Sequence, residues 1–225
     1  MIKPWNSLPE DMKLPELKPY YRSLYKKRGS LLVKRGFDIM ASLFLLLPAI
    51  PVMAGVAVWI KLDSKGPVFF RQKRVTRYGR IFRIHKFRTM TEGNKGSLVT
   101  VSGDARITGI GRVLRKYRLD ELPQLFDVLD GSMSFVGTRP EVPEYVRKYT
   151  KEMRATLLLP AGITSETSIA YKDEEKLLAG ADDPGEVYIK KVLPEKMKYN
   201  LKSLEEFSLI NDMKTMFKTA EAVLK

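Results

Sequence analysis

The chain has 225 residues, 44% of them apolar, which is enough for one globular core with appended segments. Its 40 lysines and arginines outnumber 26 acidic residues, and the net charge of +14 favours phosphate-bearing partners such as nucleotides, anionic lipids or nucleic acid. The lack of cysteine excludes disulfides, Cys-liganded zinc and a thiol nucleophile, and the single histidine, His85, excludes a multi-histidine metal site. A bound metal would therefore be a hard ion held by carboxylates and phosphates, with Mg²⁺ the obvious choice.

Residues 1–30 are rich in proline and aromatic residues and end in the basic triplet Lys26-Lys27-Arg28. No apolar core follows at the distance typical of a secretory signal. We interpret this segment as an extended arm lying on the protein or on a membrane surface. A homodimer contact and an interfacial anchor are both open roles for it.

Residues 31–62 contain the most apolar stretch of the chain. The 22 residues from Ile39 to Ile60 carry no charge, a length sufficient to cross the roughly 30 Å hydrocarbon core as a helix. Pro48 and Pro51 each remove one backbone hydrogen bond and predict a sharp bend. The segment is predicted to be embedded in a membrane.

The basic residues on both sides of this stretch bear on its topology. Five precede it between residues 26 and 35, and nine lie between Lys65 and Arg88 without an acidic residue. A spanning helix would place one basic cluster on the non-cytoplasmic side, against the positive-inside tendency. A re-entrant helix that breaks at the prolines and returns is therefore favoured over a bitopic one.

Residues 63–225 read as a small soluble domain on the cytoplasmic face. Val68–Phe70 and Ile81–Phe87 are predicted strands of a hairpin that turns at Tyr78-Gly79. The next predicted helix places Arg112 and Arg115 on one face. The region Pro160–Thr164 reads as a turn, and the chain beyond residue 187 reads as two amphipathic helices broken near Pro194 and Ser203. The predicted fold class is α+β, mostly helical.

Two adjacent carboxylates, Asp120 and Glu121, precede an apolar helical repeat at Leu122, Leu125, Phe126 and Leu129. Pro123 fits the first turn of such a helix, so Asp120 is the expected N-cap. A helix N-terminus favours both an ionised carboxylate and a nearby phosphate. Asp130-Gly131 ends the predicted helix, and a short strand, Met133–Val136, leads to a turn that carries Arg139.

Six motifs occur in this chain in a fixed order. Because of them, residues 32–225 resemble the bacterial sugar transferases, or monotopic phosphoglycosyl transferases. These motifs are Lys34-Arg35-x-Phe37-Asp38, Gly66-Pro67-x-Phe69-Phe70-x-Gln72, Lys86-Phe87-Arg88-Thr89-Met90, Asp120-Glu121-Leu122-Pro123-Gln124-Leu125, Met133-Ser134-x-Val136-Gly137-x-Arg139-Pro140 and Gly162-Ile163-Thr164.

This resemblance implies transfer of a phosphosugar from a UDP-sugar to polyprenyl (undecaprenyl) phosphate, with release of UMP. It implies that Asp120 is the nucleophile that forms an aspartyl-phosphosugar, and that Glu121, with Asp120, holds Mg²⁺. We expect substrate phosphates to contact Arg115, Arg139, Lys172 and Arg88. The implied location is the cytoplasmic face of the bacterial inner membrane, at the start of O-antigen, capsule, exopolysaccharide or glycoprotein glycan synthesis.

Two departures from the family pattern stand out. The Ser-Pro pair at the family's helix break is replaced by Ile50-Pro51, with Pro48 in addition, so no serine hydroxyl can satisfy the backbone there. The chain also lacks the Gly-Trp that many members carry after the Gly-Ile-Thr motif. The resemblance therefore does not specify which UDP-sugar is the donor. The alternative is a non-catalytic basic membrane module that binds anionic lipid or nucleic acid, but it leaves the carboxylate and arginine motifs unexplained. No nucleic-acid partner is expected under the main hypothesis.

Overall fold

The computed structural model describes residues 2–91, 104–171, 174–178, 181 and 183–224. Its helices are α1 (Lys18–Lys26), α2 (Arg28–Asp63), α3 (Gly109–Lys116), α4 (Gln124–Asp130), α5 (Pro143–Val146), α6 (Glu166–Ala170), α7 (Glu174–Leu177), α8 (Pro184–Val187), α9 (Leu193–Glu205) and α10 (Leu209–Leu224). Its strands are β1 (Phe69–Phe70), β2 (Lys73–Val75), β3 (Ile81–Arg83), β4 (Lys86–Phe87), β5 (Met133–Val136) and β6 (Ala161–Thr164). The predicted class, mostly helical α+β, is confirmed.

The N-terminal segment does not form the extended arm that its prolines predicted. It folds as three 3₁₀ turns followed by α1, and Met12, Leu17 and Leu24 are completely buried. These side chains belong to a hydrophobic cluster that also contains Leu158 and Phe207, which lie much later in the chain. The prolines lie beside short turns whose apolar residues face this cluster, so burial of these side chains overrides the extended conformation.

The apolar stretch forms α2, a single helix of 36 residues, and is the one described helix that is long and apolar enough to cross a membrane. Pro48 and Pro51 lie inside it, and the expected break into two helices is absent from its backbone. Each proline lacks an N–H group and crowds the carbonyl four residues earlier, yet the helical turns before and after the two prolines remain continuous. The re-entrant topology stays a prediction.

One stripe of α2 is buried along its entire length, at the three- and four-residue spacing of a helix face: Leu31, Lys34, Asp38, Ser42, Leu46, Ala49, Met53, Val56 and Ile60. The opposite side is apolar yet open, with Phe44 and Leu47 each 72% exposed. An apolar helix that buries only one stripe leaves an apolar face without a protein partner among the described residues, as expected of a helix in contact with lipid.

Two arginines attach α2 to the elements around the carboxylates. Arg35 donates to the backbone carbonyls of Val128 and Leu129 at 2.5 and 2.7 Å, so it caps the C-terminal end of α4. Arg88 donates to the carbonyls of Ser64 and Lys65, directly after α2. Both contacts satisfy carbonyl groups at helix ends and fix α2 relative to the elements around the carboxylates.

The predicted hairpin is present, but its second strand is split. β2 pairs with β3 and β1 pairs with β4, both antiparallel, around a turn at Arg77–Gly79. Between β3 and β4, Asp127 of α4 accepts the backbone N–H of His85 at 2.8 Å and contacts its ring at 2.7 Å. This contact holds the strand that carries Lys86 against α4.

The Gly-Ile-Thr motif is a strand and not the predicted turn. β6 pairs in parallel with β5, with Val136 opposite Thr164. A Cβ atom on Gly162 would lie 2.2 Å from the backbone nitrogen of Gly137, so the two backbones approach more closely than any side chain allows. The glycines therefore serve strand packing.

The C-terminal helices differ from the prediction in where they break. α9 begins just before Pro194, which occupies its first turn, and continues through Ser203 to Glu205. The break falls at residues 206–208, where the Ser208 hydroxyl accepts the backbone N–H of Asn211. Ser208 therefore begins α10, as an N-cap serine does.

Candidate active site

Asp120 and Glu121 lie in a 3₁₀ turn, Leu119–Glu121, directly before α4. Pro123 occupies the position before the first residue of α4, and Asp120 makes no capping hydrogen bond, so the predicted N-cap role of Asp120 is wrong. The 3₁₀ turn places both carboxylates inward, where their residues are 1% and 7% exposed. The predicted end of the helix at Gly131 is confirmed, with a left-handed φ of 83°.

Lys86 is the cation that contacts both carboxylates. Its Nζ lies 2.7 Å from Asp120 Oδ2 and 3.6 Å from Glu121 Oε1. A buried carboxylate needs a partner of opposite charge, and Lys86 provides one to each. This single ammonium group therefore holds the acidic pair together.

Glu121 is enclosed by further cations. Arg139 Nη2 lies 2.5 Å from Glu121 Oε1 and its Nη1 lies 3.4 Å from Oε2, while Arg118 Nη1 lies 3.6 Å from Oε1. Burial alone would raise the pKa of Glu121, but the charges of Arg139 and Lys86 outweigh it and lower that pKa far below its ordinary value of 4.5. The carboxylate in turn raises the pKa of Arg139, so both groups are fully charged at neutral pH.

Asp120 differs from Glu121 in having one oxygen without a partner. Oδ2 contacts Lys86, whereas Oδ1 is buried and has no hydrogen-bond partner among the described residues. A buried, unpaired carboxylate oxygen is costly for stability, and such atoms are typical of sites that act on a ligand. Oδ1 is thus the oxygen of this acidic pair that no described residue satisfies.

The carboxylates open into a cavity of about 970 Å³. Its lining includes a group of cationic side chains near the carboxylates: Lys86, Arg112, Arg115, Lys116, Arg118 and Arg139. It also includes uncharged residues of β6, α6 and α10: Ile163, Thr164, Ser168, Ile169, Thr219 and Ala222. A cavity of this size, with cations around two carboxylates, suits a ligand of nucleotide size with several phosphate charges.

Comparison with known protein families gives one match that covers most of the chain. The model of the bacterial sugar transferase family matches residues 29–225. The chain belongs to the bacterial sugar transferases.

Three curated relatives of this sugar transferase carry names that describe transfer of a sugar phosphate. The UDP-N-acetylgalactosamine-undecaprenyl-phosphate N-acetylgalactosaminephosphotransferase of Aeromonas hydrophila is 36% identical over 197 residues, covering 85% of this chain and 44% of that protein. The undecaprenyl-phosphate galactose phosphotransferase of Salmonella typhimurium is 32% identical, covering 88% and 42%. The UDP-glucose:undecaprenyl-phosphate glucose-1-phosphate transferase of Escherichia coli is 32% identical, covering 84% and 39%. The chain thus spans less than half the length of these relatives.

The residues predicted for the sugar transferase site do not all meet in the cavity. Asp120, Glu121, Arg115 and Arg139 line it together. Arg88 is absent from that lining and is held on the carbonyls after α2, which gives it a structural role. Lys172 lies outside the described residues.

Sequence reasoning missed two of the cations that contact the carboxylates, Lys86 and Arg118. Lys86 belongs to a family motif without a predicted role, although strand alternation places it on the same face as Phe82 and Ile84, which are both buried. A lysine on a buried face indicates a buried acidic partner. Arg118 adopts a left-handed conformation, with φ of 55°, which no pattern in the sequence reveals.

The fit of Mg²⁺ to this sugar transferase depends on the same carboxylates. Among the described residues, no group of three or more acidic or histidine side chains is arranged to hold a metal. Mg²⁺ commonly uses only one or two carboxylates together with substrate phosphates, and the unpartnered Oδ1 of Asp120 is compatible with that pattern. Both oxygens of Glu121 already contact Arg139, so a metal at Glu121 would replace at least one of these contacts.

Proposed function

We propose that this chain transfers a phosphosugar from a UDP-sugar to polyprenyl phosphate through a covalent intermediate on Asp120. The observation that carries the proposal is the buried Asp120 carboxylate, with Oδ2 on Lys86 and Oδ1 unpaired, at a cavity lined by arginines. The names of the relatives, which describe sugar phosphotransferases acting on undecaprenyl phosphate, support the same reaction class.

The reaction has two displacements at one phosphorus atom. Asp120 Oδ1 attacks the β-phosphorus of the UDP-sugar, and the bond from that phosphorus to the bridging oxygen breaks, so UMP leaves with the electron pair. An oxygen of polyprenyl phosphate then attacks the phosphorus of the aspartyl-phosphosugar. The bond to Asp120 breaks, which regenerates the carboxylate and releases the polyprenyl diphosphate sugar.

The cations of the cavity balance the charge of these steps. Lys86 holds Oδ2 of Asp120, which leaves Oδ1 as the nucleophilic oxygen. Arg115 and Arg139 are the groups we assign to the donor phosphates. Mg²⁺, held by Asp120 and Glu121 with the substrate phosphates, would further neutralise the leaving UMP.

We propose a membrane placement in which α2 stays helical but bends at Pro48 and Pro51 in the bilayer, so that it is re-entrant and both of its flanks are cytoplasmic. Residues before α2 pack in one hydrophobic cluster with residues far beyond it, and Lys27 Nζ donates to the carbonyl of Phe207 at 2.7 Å. Two flanks that share one core lie on the same side of a bilayer. The exposed apolar side of α2, with Ile210, Met213 and Phe217 of α10, would face lipid and bring the site to its polyprenyl acceptor.

The test uses the full chain in detergent or nanodiscs with Mg²⁺, a panel of UDP-sugars and no lipid acceptor. We expect a stoichiometric burst of UMP and a phosphosugar mass on the peptide that contains Asp120. Asp120→Asn should abolish both, because an amide is not a competent nucleophile. The matched control is Asp11→Asn, which alters a partly exposed ion pair with Arg154 and should leave the burst unchanged.

Three outcomes would count against the proposal. Substantial turnover by Asp120→Asn would exclude Asp120 as the nucleophile. Turnover that requires polyprenyl phosphate and never shows the adduct, even after rapid quenching, would favour direct displacement. Silence with every donor, combined with salt-sensitive binding of nucleic acid that ignores Asp120, would favour a non-catalytic basic module.

A further inference from the structure

The cavity has two chemically different walls. Cations from β4, from α3 and from the turn after β5 surround the carboxylates, whereas β6, α6 and α10 contribute only uncharged side chains to the lining. Three of these uncharged side chains carry hydroxyl groups: Thr164, Ser168 and Thr219. We call them the hydroxyl wall.

The hydrogen bonds within this wall fix where its protons point. The Thr219 hydroxyl donates to the backbone carbonyl of Thr215 at 2.8 Å. Its contact with the Thr164 hydroxyl, at 2.6 Å, therefore uses the Thr164 proton, because Thr219 has only one. The Thr164 oxygen keeps its lone pairs for a ligand, so this part of the wall accepts hydrogen bonds. It offers no positive charge to a phosphate.

The hydroxyl wall begins next to the carboxylates. Arg139 contacts Glu121 and also donates to the carbonyl of Ile163 at 3.4 Å, one residue before Thr164. Thr164 is held in place by the pairing of β6 with β5, because its carbonyl accepts the backbone N–H of Gly137 at 3.0 Å. Strand pairing and one arginine thus set the distance between the acceptor hydroxyls and the acidic pair.

We infer that the hydroxyl wall is the subsite for the sugar ring of the donor. This inference rests on the proposed function. In a UDP-sugar, the sugar is bonded directly to the phosphate that Asp120 attacks, whereas the uridine is separated from it by the α-phosphate. A neutral wall of acceptors beside the carboxylates suits sugar hydroxyl and amide N–H groups, and the cationic wall suits the diphosphate.

The experiment compares donors in variants that remove a hydroxyl without changing shape. For Thr164→Val and Thr219→Val we expect kcat/KM for the best donor to fall about tenfold, as for the loss of one hydrogen bond. Donors that lack the matching group should lose less, so the ratio between donors narrows. Inhibition by UMP should stay within about twofold, because UMP has no sugar at the β-position.

Matched variants separate this role from a structural one. Thr215→Val removes a hydroxyl from the same helix that is absent from the cavity lining, and should leave the donor ratio unchanged. Ser168→Ala tests the wall from α6 if a threonine variant fails to fold. An equal loss for all donors with weaker UMP inhibition would place the uridine at this wall and overturn the inference. An unchanged donor ratio would overturn it too, and adduct formation on Asp120 in the same variants would show that the proposed function stands without it.

Discussion

At the scale of single residues, the two neighbouring carboxylates have different surroundings. Glu121 is held by Arg139 on both oxygens, whereas Asp120 keeps one oxygen unpaired. Both oxygens of Glu121 are thus satisfied by protein cations, whereas one oxygen of Asp120 is left for the reaction that we propose. The geometry therefore distinguishes the surroundings of two residues that the sequence shows only as an acidic pair.

The depressed pKa of Glu121 predicts a specific loss of stability in acid. Because its folded-state pKa lies below its ordinary value of 4.5, its ionised form stabilises the fold above that pH, and this contribution is lost as pH falls below it. Thermal unfolding followed by circular dichroism from pH 7 to pH 3 should show a steeper fall for the wild type than for Glu121→Gln.

The control for this measurement is Glu144→Gln, which alters an exposed pair with Arg147 at 3.8 Å. An exposed pair contributes little to stability, so this variant should follow the wild type. Parallel acid profiles for Glu121→Gln and the wild type would contradict the assigned pairing.

At the scale of elements, the parallel pair β5–β6 is the support of the site. β5 leads into the turn with Arg139, and β6 carries Ile163 and Thr164 into the cavity. The two strands pack backbone to backbone at Gly137 and Gly162. The glycine motifs thus position the arginine and the hydroxyl wall relative to each other.

Gly162→Ala should destabilise the fold by about 1–3 kcal/mol or more, because its Cβ would meet backbone atoms of Gly137 that cannot move away. Gly36→Ala is the matched control. It lies inside α2, where a new methyl group would meet no atom within 4 Å, and should raise the free energy of unfolding by about 0.5–1 kcal/mol. Thermal unfolding of both variants measures the difference, and a Gly162→Ala variant as stable as the wild type would contradict this view of the strand pair.

At the scale of the whole molecule, the N-terminal segment connects regions that are far apart in the chain. Tyr20 donates to Glu152 at 2.8 Å, and burial raises the pKa of the Tyr20 hydroxyl with help from that carboxylate. The C-terminal end of α2 packs on a second hydrophobic cluster, in which Ile60 lies with Leu114. Both ends of α2 are therefore tied to one body.

This arrangement predicts that both flanks of α2 are reached from the cytoplasm. The chain has no cysteine, so Glu10→Cys and Lys65→Cys each introduce a single label site. An impermeant maleimide should modify neither in intact spheroplasts and both after permeabilisation. Labelling of Glu10→Cys from outside would support a bitopic helix. The same labelling is repeated with Pro48 and Pro51 both replaced by alanine in the Glu10→Cys chain. If the prolines are needed for the re-entrant form, this variant should be labelled from outside in intact spheroplasts.

The sequence by itself determined the family motifs, the acidic pair, the apolar helix and the basic surface, because these depend on residue type and local spacing. It did not determine which groups face each other across the fold. Lys86 and Asp120 are 34 positions apart, and Met12 and Phe207 lie at opposite ends of the chain. Periodicity indicates that a residue is buried but not which residue it meets, since many pairings bury the same apolar area. Only the tertiary structure decided the partner of each carboxylate, the packing of the N-terminal segment and the two walls of the cavity.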